Sequence, residues 1–292
     1  MIVGRLMGGL GNQMFQYAAA RRLALRHAVP LRLDLTWFGR VPERRYALDR
    51  FNLPVTVAGA AEVRAIRGPD ERSVDRLVFR LGRRLGLGSW HLLSERFLAP
   101  VDPRVLEAPD RTYLDGYWQS ERYFADVADR IRSDFSLEPA ADTASRELEA
   151  RIAEVTSVSI HVRRGDYVAN PKTRQVHGVC GLDYYQRCIE LLVSRVARPH
   201  FFLFSDDPTW TAKELRLDYP ATLVSGRSGG EEHEDLRLMS RCRHHIIANS
   251  SFSWWGAWLH PRTDKLVYAP RRWVTDERVD TRDLLPEGWL AV

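Results

Sequence analysis

SVSIHVRRGDYV, residues 157–168, decides the fold. SVSIHV reads as a short buried strand. At its end the chain turns abruptly polar, on Arg163, Arg164, Gly165 and Asp166. A strand closed by a glycine-containing polar turn is the opening of an α/β unit. The chain downstream continues the pattern. LDYYQRCIELLVSRV (182–196) has helical spacing, and HFFLFS (200–205) and ATLVS (221–225) read as strands. EDLRLMSRC (234–242) reads as a helix, HHIIAN (244–249) as a strand, and FSWWGAWL (252–259) as a helix start. Helices alternating with short, nearly continuous apolar strands imply a parallel sheet covered on both faces.

The same alternation opens the chain. A strand over residues 1–6 meets Gly8, Gly9 and Gly11. A helix follows, with Phe15, Ala18, Ala19, Leu23 and Ala24 on one face, and then the strand LRLDL from Leu31. TYLDGYW (112–118) reads as a strand and ERYFADVADRIRSDF (121–135) as a helix. The polar, alanine-rich EPAADTASRELEARIAE (138–154) separates the halves, with Pro139 ending the preceding helix. Two α/β domains are expected, 1–150 and 151–292, with the change falling within 138–156. Within the first half lies an arginine-rich stretch, 62–87, in which Leu77, Val78, Leu81 and Leu85 have amphipathic spacing. Its favoured reading is a helix docked on its own domain with arginines in water; contact with a membrane surface is the lesser reading.

The 292 residues are 45% apolar, enough for a large core and more naturally two domains than one. A net charge of +5 and a pI near 9.3 suit an anionic ligand, a nucleic acid or a membrane surface, or only a solvated basic exterior. Three cysteines are too few for a disulfide framework and contain no C-x-x-C pair. No run approaches the roughly 18 apolar residues of a membrane span, and the N-terminus lacks a signal-peptide core. A cytoplasmic protein is expected, at most peripheral at the inner face of the membrane.

Ligands of open parallel sheets bind at the carboxyl ends of strands, so the residues there carry the functional reading. Arg163 and Arg164 suit a diphosphate, because guanidinium is always charged and grips phosphate oxygens as a fork. They suit equally a surface pair bridged to Asp166. After the strand ending at Phe204, Asp206 is either a ligand for ribose or base or part of a helix start, whereas Asp207 before Pro208 reads as an N-cap. ANSSFSWW (248–255) ends a strand in hydroxyl residues that open a helix, an arrangement that binds anions, with Trp254, Trp255 and Trp258 read as core. The glycine turn around Gly9 and Gly11 is weak evidence alone; Asn12 and Gln13 at the helix start are amides placed to face a substrate. No D-x-D and no G-x-x-x-x-G-K-[ST] occurs. Glu232-His233-Glu234-Asp235 has no second His at i+4 and reads as an acidic helix N-terminus rather than a metal site. Nucleic-acid binding would explain the pI but none of these strand-end motifs.

GGLGNQMFQYA (8–18), GYWQSERYF (116–124), HVRRGDYV (161–168), FLFSDDPTW (202–210) and ANSSFSWWGAWL (248–259) together resemble the α-1,2-fucosyltransferases of glycosyltransferase family 11. The resemblance implies a GT-B type α/β fold, two Rossmann-like domains facing across a cleft, with the acceptor on the N-terminal side and the donor on the C-terminal domain. It implies inverting transfer of L-fucose from GDP-β-L-fucose to a galactose 2-hydroxyl of a glycan, in surface polysaccharide or O-antigen synthesis, with neither metal nor other cofactor. By the same resemblance Arg163 and Arg164 contact the donor phosphates, Arg163 at the leaving β-phosphate, with His161 beside them. Asp235 stands where a carboxylate reads guanine. Ser250, Ser251 and Phe252 line the nucleotide site together with Asn249, Ser253, Asp206, Gly9 and Gly11, and Asn12 approaches the reacting centre. Asp166 is a candidate base weakened by its arginine neighbours, with Asp115 and Glu121 as rivals. Two further readings stay open from the sequence: a non-catalytic nucleotide-sugar or glycan-binding protein, and a transferase for another GDP-deoxyhexose or another linkage.

Overall fold

The computed structural model describes residues 1–67, 91–95, 98–137, 142–225 and 232–292. It divides into two α/β units, Met1–Ser136 with Asp280–Leu284, and Leu137–Val279 with Leu285–Val292. The expected helix carrying Leu77, Val78, Leu81 and Leu85 lies outside the described residues.

The first unit holds strands β1 (Ile2–Arg5), β2 (Leu31–Asp34), β3 (Thr56–Val57), β4 (His91–Ser94) and β5 (Thr112–Asp115). They form one parallel sheet in the order β3-β2-β1-β5-β4. The helix Leu10–Arg26 packs on β1 and buries Met14, Phe15, Tyr17, Ala18, Leu23 and Ala24. Two local expectations shift. Only Thr112–Asp115 of TYLDGYW is strand, and the expected helix over 121–135 is two short 3-10 turns followed by a helix from Ala128 to Asp134. The reason is packing: Tyr123 sets its ring against Trp118 and Phe124 sets its ring against Phe15, and Phe124 adopts a φ of −146° to do so.

The second unit holds β6 (Thr156–Val162), β7 (Pro199–Ser205), β8 (Ala221–Leu223), β9 (His244–Ile246), β10 (Val267–Ala269) and β11 (Leu290–Ala291). All pair in parallel, in the order β8-β7-β6-β9-β10-β11. Numbered within the unit this is 3-2-1-4-5-6, the order of a doubly wound dinucleotide-binding sheet. Alternate residues of β7 feed opposite faces. Phe201 and Leu203 pack with Tyr185, Cys188 and Leu192 of the helix Leu182–Val193. Phe202 and Phe204 pack with Leu148, Ile152, Leu238 and Met239. Leu148 and Ile152 belong to the helix Thr143–Glu154, so the division falls at Ser136, earlier than the residue-150 boundary read from the sequence. That helix has its apolar stripe in the second core, at about 1.5–3 kcal/mol for each large side chain buried. Its polar, alanine-rich composition resembled a linker only because the rest of its surface is wet.

Several buried histidines make stability pH-dependent. Burial, helped by Arg163, pushes His161 down to about 3; burial, helped by Lys265, pushes His260 down to about 4 and His245 well below its usual range. Below about pH 6.5 the unfolded chain binds protons that these imidazoles refuse, at about 1.4 kcal/mol per pH unit each. Glu95, lifted to about 7 mainly by burial, works the other way over the same window. The net expectation is a loss of about 2–3 kcal/mol between pH 6.5 and 5.5. Urea unfolding at the two pH values measures it, and an unchanged midpoint would mean that the histidines are charged in the fold.

Candidate active site

In the second unit the strand order reverses between β6 and β9, and the segments leaving those strands carry HVRRGD and ANSSFS. In a doubly wound sheet such a reversal opens a crevice for a ligand. Arg163, 24% exposed, is held on two sides: Nη2 pairs with Asp166 at 2.6 Å and Nη1 with Asp206 at 3.0 Å. Its guanidinium lies 5.2 Å from the centre of the Tyr167 ring. Burial works against its charge, but Asp206 and Asp166 outweigh that and hold its pKa above the usual range. Its Nε–H is buried without a partner among the described residues. Arg164 lies 3.7 Å over the Trp210 ring and pairs with Asp207 at 3.2 Å.

Asp206 therefore serves the arginines. One oxygen accepts the Arg164 backbone N–H at 2.8 Å while the other pairs with Arg163. The approach depends on Gly165, where a Cβ would stand 2.6 Å from Asp206 Oδ2. Asp207 caps the helix Pro208–Glu214 through the Trp210 N–H, as its place before proline predicted. FSDDPTW is thus the cradle of HVRRGD. Sequence reading missed Trp210 and Tyr167 as supports for the two guanidiniums; Tyr167 follows Arg163 closely in the chain, whereas Trp210 comes from the segment after β7 and meets Arg164 only in the fold.

His161 is 4% exposed, its ring 5.5 Å from Phe252, and its Nδ1 has no partner among the described residues. With its pKa pushed down to about 3 it is neutral at any working pH and offers the site a neutral imidazole, not a cation. Around ANSSFS the expectations divide. Ser250, 6% exposed, precedes the helix Ser251–Trp258 and makes no side-chain cap bond, leaving that helix start to other acceptors. Ser251 and Phe252 are partly exposed beside it. Asn249 and Ser253 are turned inward, contrary to the expected nucleotide contacts. Asn249 donates to the carbonyls of His177 and Trp273, and the fully buried Ser253 hydroxyl donates to the carbonyls of Ala248 and Ser250. Both shape the turn that the ligand-facing residues occupy. Trp254 and Trp255 are core, as read. Asp235, partly exposed, accepts the Ser225 hydroxyl, whose oxygen in turn accepts the Ser205 N–H at 2.9 Å. The carboxylate is thereby fixed beside the ends of β7 and β8.

The first unit has its own reversal, between β1 and β5. Gly8–Gln13 leaves β1 and Gly116–Gln119 leaves β5. Asn12 Oδ1 accepts Gln119 Nε2 at 2.8 Å, which joins the two segments. Gln13 is fully buried: it donates to the carbonyls of Gly8 and Arg45 and accepts the Ala47 N–H, so it pins a loop and cannot face a substrate. Gly9 stands at the N-cap of the helix Leu10–Arg26 and Gly11 in its first turn, both in the first unit. Asp115 is tied to Arg5 Nη1 through both oxygens at 2.9 and 3.0 Å. Among the described residues no three His, Cys, Asp or Glu gather as a metal site would require, and no helix is long and apolar enough to cross a membrane.

Comparison with known proteins finds relatives along the whole chain. Residues 96–292 match the family described as glycosyl transferase family 11. The α-1,2-colitosyltransferase of Escherichia coli is 33% identical over 295 residues, covering 100% of this chain and 99% of that one. The O-antigen biosynthesis glycosyltransferase WbnK of Escherichia coli is 32% identical, covering 92% and 93%. The galactoside alpha-(1,2)-fucosyltransferase 1 of Mus musculus is 26% identical, covering 86% of this chain and 61% of that one.

Proposed function

Because the chain belongs to glycosyl transferase family 11, we propose that it is an inverting, metal-independent galactoside α-1,2-fucosyltransferase using GDP-β-L-fucose. The observation that carries the reading is the Arg163–Arg164 pair, aimed by Asp206, Asp207 and Trp210 at the end of β6 next to an uncapped helix start. Fixed cations and free backbone N–H groups stabilise charge developing on a phosphate leaving group, at no cost of reorganisation when the bond breaks. In this reading the acceptor oxygen attacks the anomeric carbon as GDP departs with the bonding electron pair. Arg163 takes up the charge on the β-phosphate, and Arg164 and the N–H groups of the helix turn that starts at Ser251 hold the rest. Asp235 reads guanine N1–H and N2–H₂. Asn12, joined to Gln119, belongs to the acceptor side.

A second reading keeps the linkage and changes the donor; the whole-length similarity to an α-1,2-colitosyltransferase is the observation that favours it. Both readings are compatible with a role in surface-glycan synthesis at the cytoplasmic face of a membrane. The test is GDP release from GDP-fucose with lactose or N-acetyllactosamine in the presence of EDTA, followed by linkage analysis. Turnover that survives EDTA and yields an α-1,2 product is expected. Turnover with a colitosyl donor but not GDP-fucose selects the second reading. If neither donor is bound or consumed, the proposal fails.

A further inference from the structure

In the second unit a cavity of about 370 Å³ lies past the carboxyl ends of β9, β10 and β11. Its volume falls within the range of about 300–1,000 Å³ that small-ligand pockets have. Two segments wall it, 177–180 and 270–275, and every residue that lines it belongs to the second unit.

The walls are tied together by specific bonds. Asn249 Nδ2 donates to the carbonyls of His177 at 2.8 Å and Trp273 at 3.2 Å, one in each segment, and its Oδ1 accepts the Cys180 thiol at 3.5 Å. The Thr275 N–H donates to the Val176 carbonyl at 2.9 Å and clips the two segments a second time. Gly178 turns the first wall at φ +67° and ψ −172°, a region essentially closed to residues with a side chain. The cavity is also joined to the arginine site. Asn249 opens the ANSS turn, and the His177 ring stacks on Tyr167 with centres 4.8 Å apart and planes 9° apart. The other neighbour of that Tyr167 ring is Arg163, at 5.2 Å.

The lining is selective in its chemistry. Besides Asn249, the Tyr184 hydroxyl donates to the Ile247 carbonyl at 2.6 Å and the Thr275 hydroxyl to the Val176 carbonyl at 3.1 Å. Val179, Pro270 and Val274 supply an apolar wall. Arg271 and Arg272 are exposed at the rim. Arg272 pairs with Glu277 at 2.6 Å, whereas the Arg271 guanidinium has no hydrogen bond or ion pair among the described residues. Such a space suits a group with an apolar face and a few hydroxyls within reach of a cation.

We propose that this cavity receives the sugar of the donor, and that its apolar wall reads the methyl group of a 6-deoxyhexose. The inference rests on the glycosyl-transfer reading above and deepens it. A nucleotide sugar runs from base to diphosphate to sugar. Across the sheet, Asp235 stands beside the ends of β7 and β8, Arg163 at the end of β6, and the cavity past β9 and β10, in that same order. Fucose is 6-deoxygalactose and colitose its 3,6-dideoxy relative, so the methyl group is common to both donors and the assignment holds for either. A hydroxyl at C6 would give up its water at a wall whose polar side chains are already bonded to the protein.

The experiment uses the full chain and whichever of the two donors it turns over. Val179→Trp, on a half-exposed part of the wall, fills the cavity. It should raise donor KM at least about tenfold, with the Kd of GDP, acceptor KM and the melting temperature unchanged. GDP lacks the sugar and reports the base and phosphate contacts alone. Separately, the wild type should prefer its donor to the 6-hydroxy analogue (GDP-L-galactose in the fucosyl case) by about 10²-fold in kcat/KM. Val274→Ser, which offers that hydroxyl a partner, should narrow the ratio to under about tenfold. An unchanged donor KM in a folded Val179→Trp protein, a rise confined to acceptor KM, or an equal loss of GDP and donor affinity would overturn the assignment. So would a ratio that Val274→Ser does not move, and that variant decides if the Trp variant does not fold. Wild-type protein that consumes neither donor would overturn the transferase reading and this inference with it. Active wild type with both variants unaffected would overturn this inference alone.

Discussion

Arg163→Ala should lower kcat for GDP release by at least about 10³-fold, while the protein still folds. Removing one hydrogen-bond donor from a charge-stabilising site costs about 10²–10³-fold in comparable chemistry. Arg163 is expected to exceed that because of what it leaves behind. Asp166 and Asp206 both pair with it, so its loss uncovers two carboxylates where the diphosphate should bind. Repulsion then adds to lost attraction. Both carboxylates keep partial solvent contact, at 29% and 25% exposure, so the damage falls on binding and catalysis more than on stability. Arg163→Lys should recover little, since a point charge cannot bridge two carboxylates and still present donors to phosphate. Steady-state kinetics and GDP titration measure the effect, and activity within tenfold of wild type would remove Arg163 from its role.

Gly165→Ala should reduce kcat by about 10²-fold, the scale on which a misplacement of about 1 Å acts. A methyl group there would stand 2.6 Å from Asp206 Oδ2 and 3.1 Å from Cγ. The short Asp206 side chain can escape only by swinging away, which breaks its bonds to the Arg164 N–H and to Arg163 together. The effect therefore travels through Asp206, and the double variant with Asp206→Ala should be little worse than either single one. That non-additivity separates a shared mechanism from two independent defects. Additive losses, or a Gly165→Ala enzyme with normal kcat, would show that the Asp206 contact does not aim the arginines.

Some of this protein was readable from residue order alone because it is written in local periodicity. A buried strand must be apolar along its length and a docked helix must repeat its apolar face, so β6, β7 and the helix Leu182–Val193 stood out in the chain. The strand-end positions of HVRRGD, SDD and ANSS followed from the same pattern, as did Asp207 as a cap, since a cap is set by its immediate neighbours. The helix Thr143–Glu154 was harder to assign: its few apolar residues do not say which core receives them.

What only the tertiary structure decided are contacts between residues distant in sequence. Asp206 was balanced between ligand and cap until β6 and β7, paired in register over seven residues, set it beside an Arg163 that lies 43 positions earlier. Asn249 and Ser253 looked like ligand residues until the carbonyls of His177, Trp273 and Ala248 claimed their side chains. Glu95 bore no signal at all, because its role as the brace of the turn at Tyr117 and Trp118 is made with residues 22 and 23 positions further on. Periodicity is a property of neighbours in the chain and survives in the sequence. A charge's partner, its burial and its pKa are properties of neighbours in space, and they exist only once the sheets have brought those neighbours together.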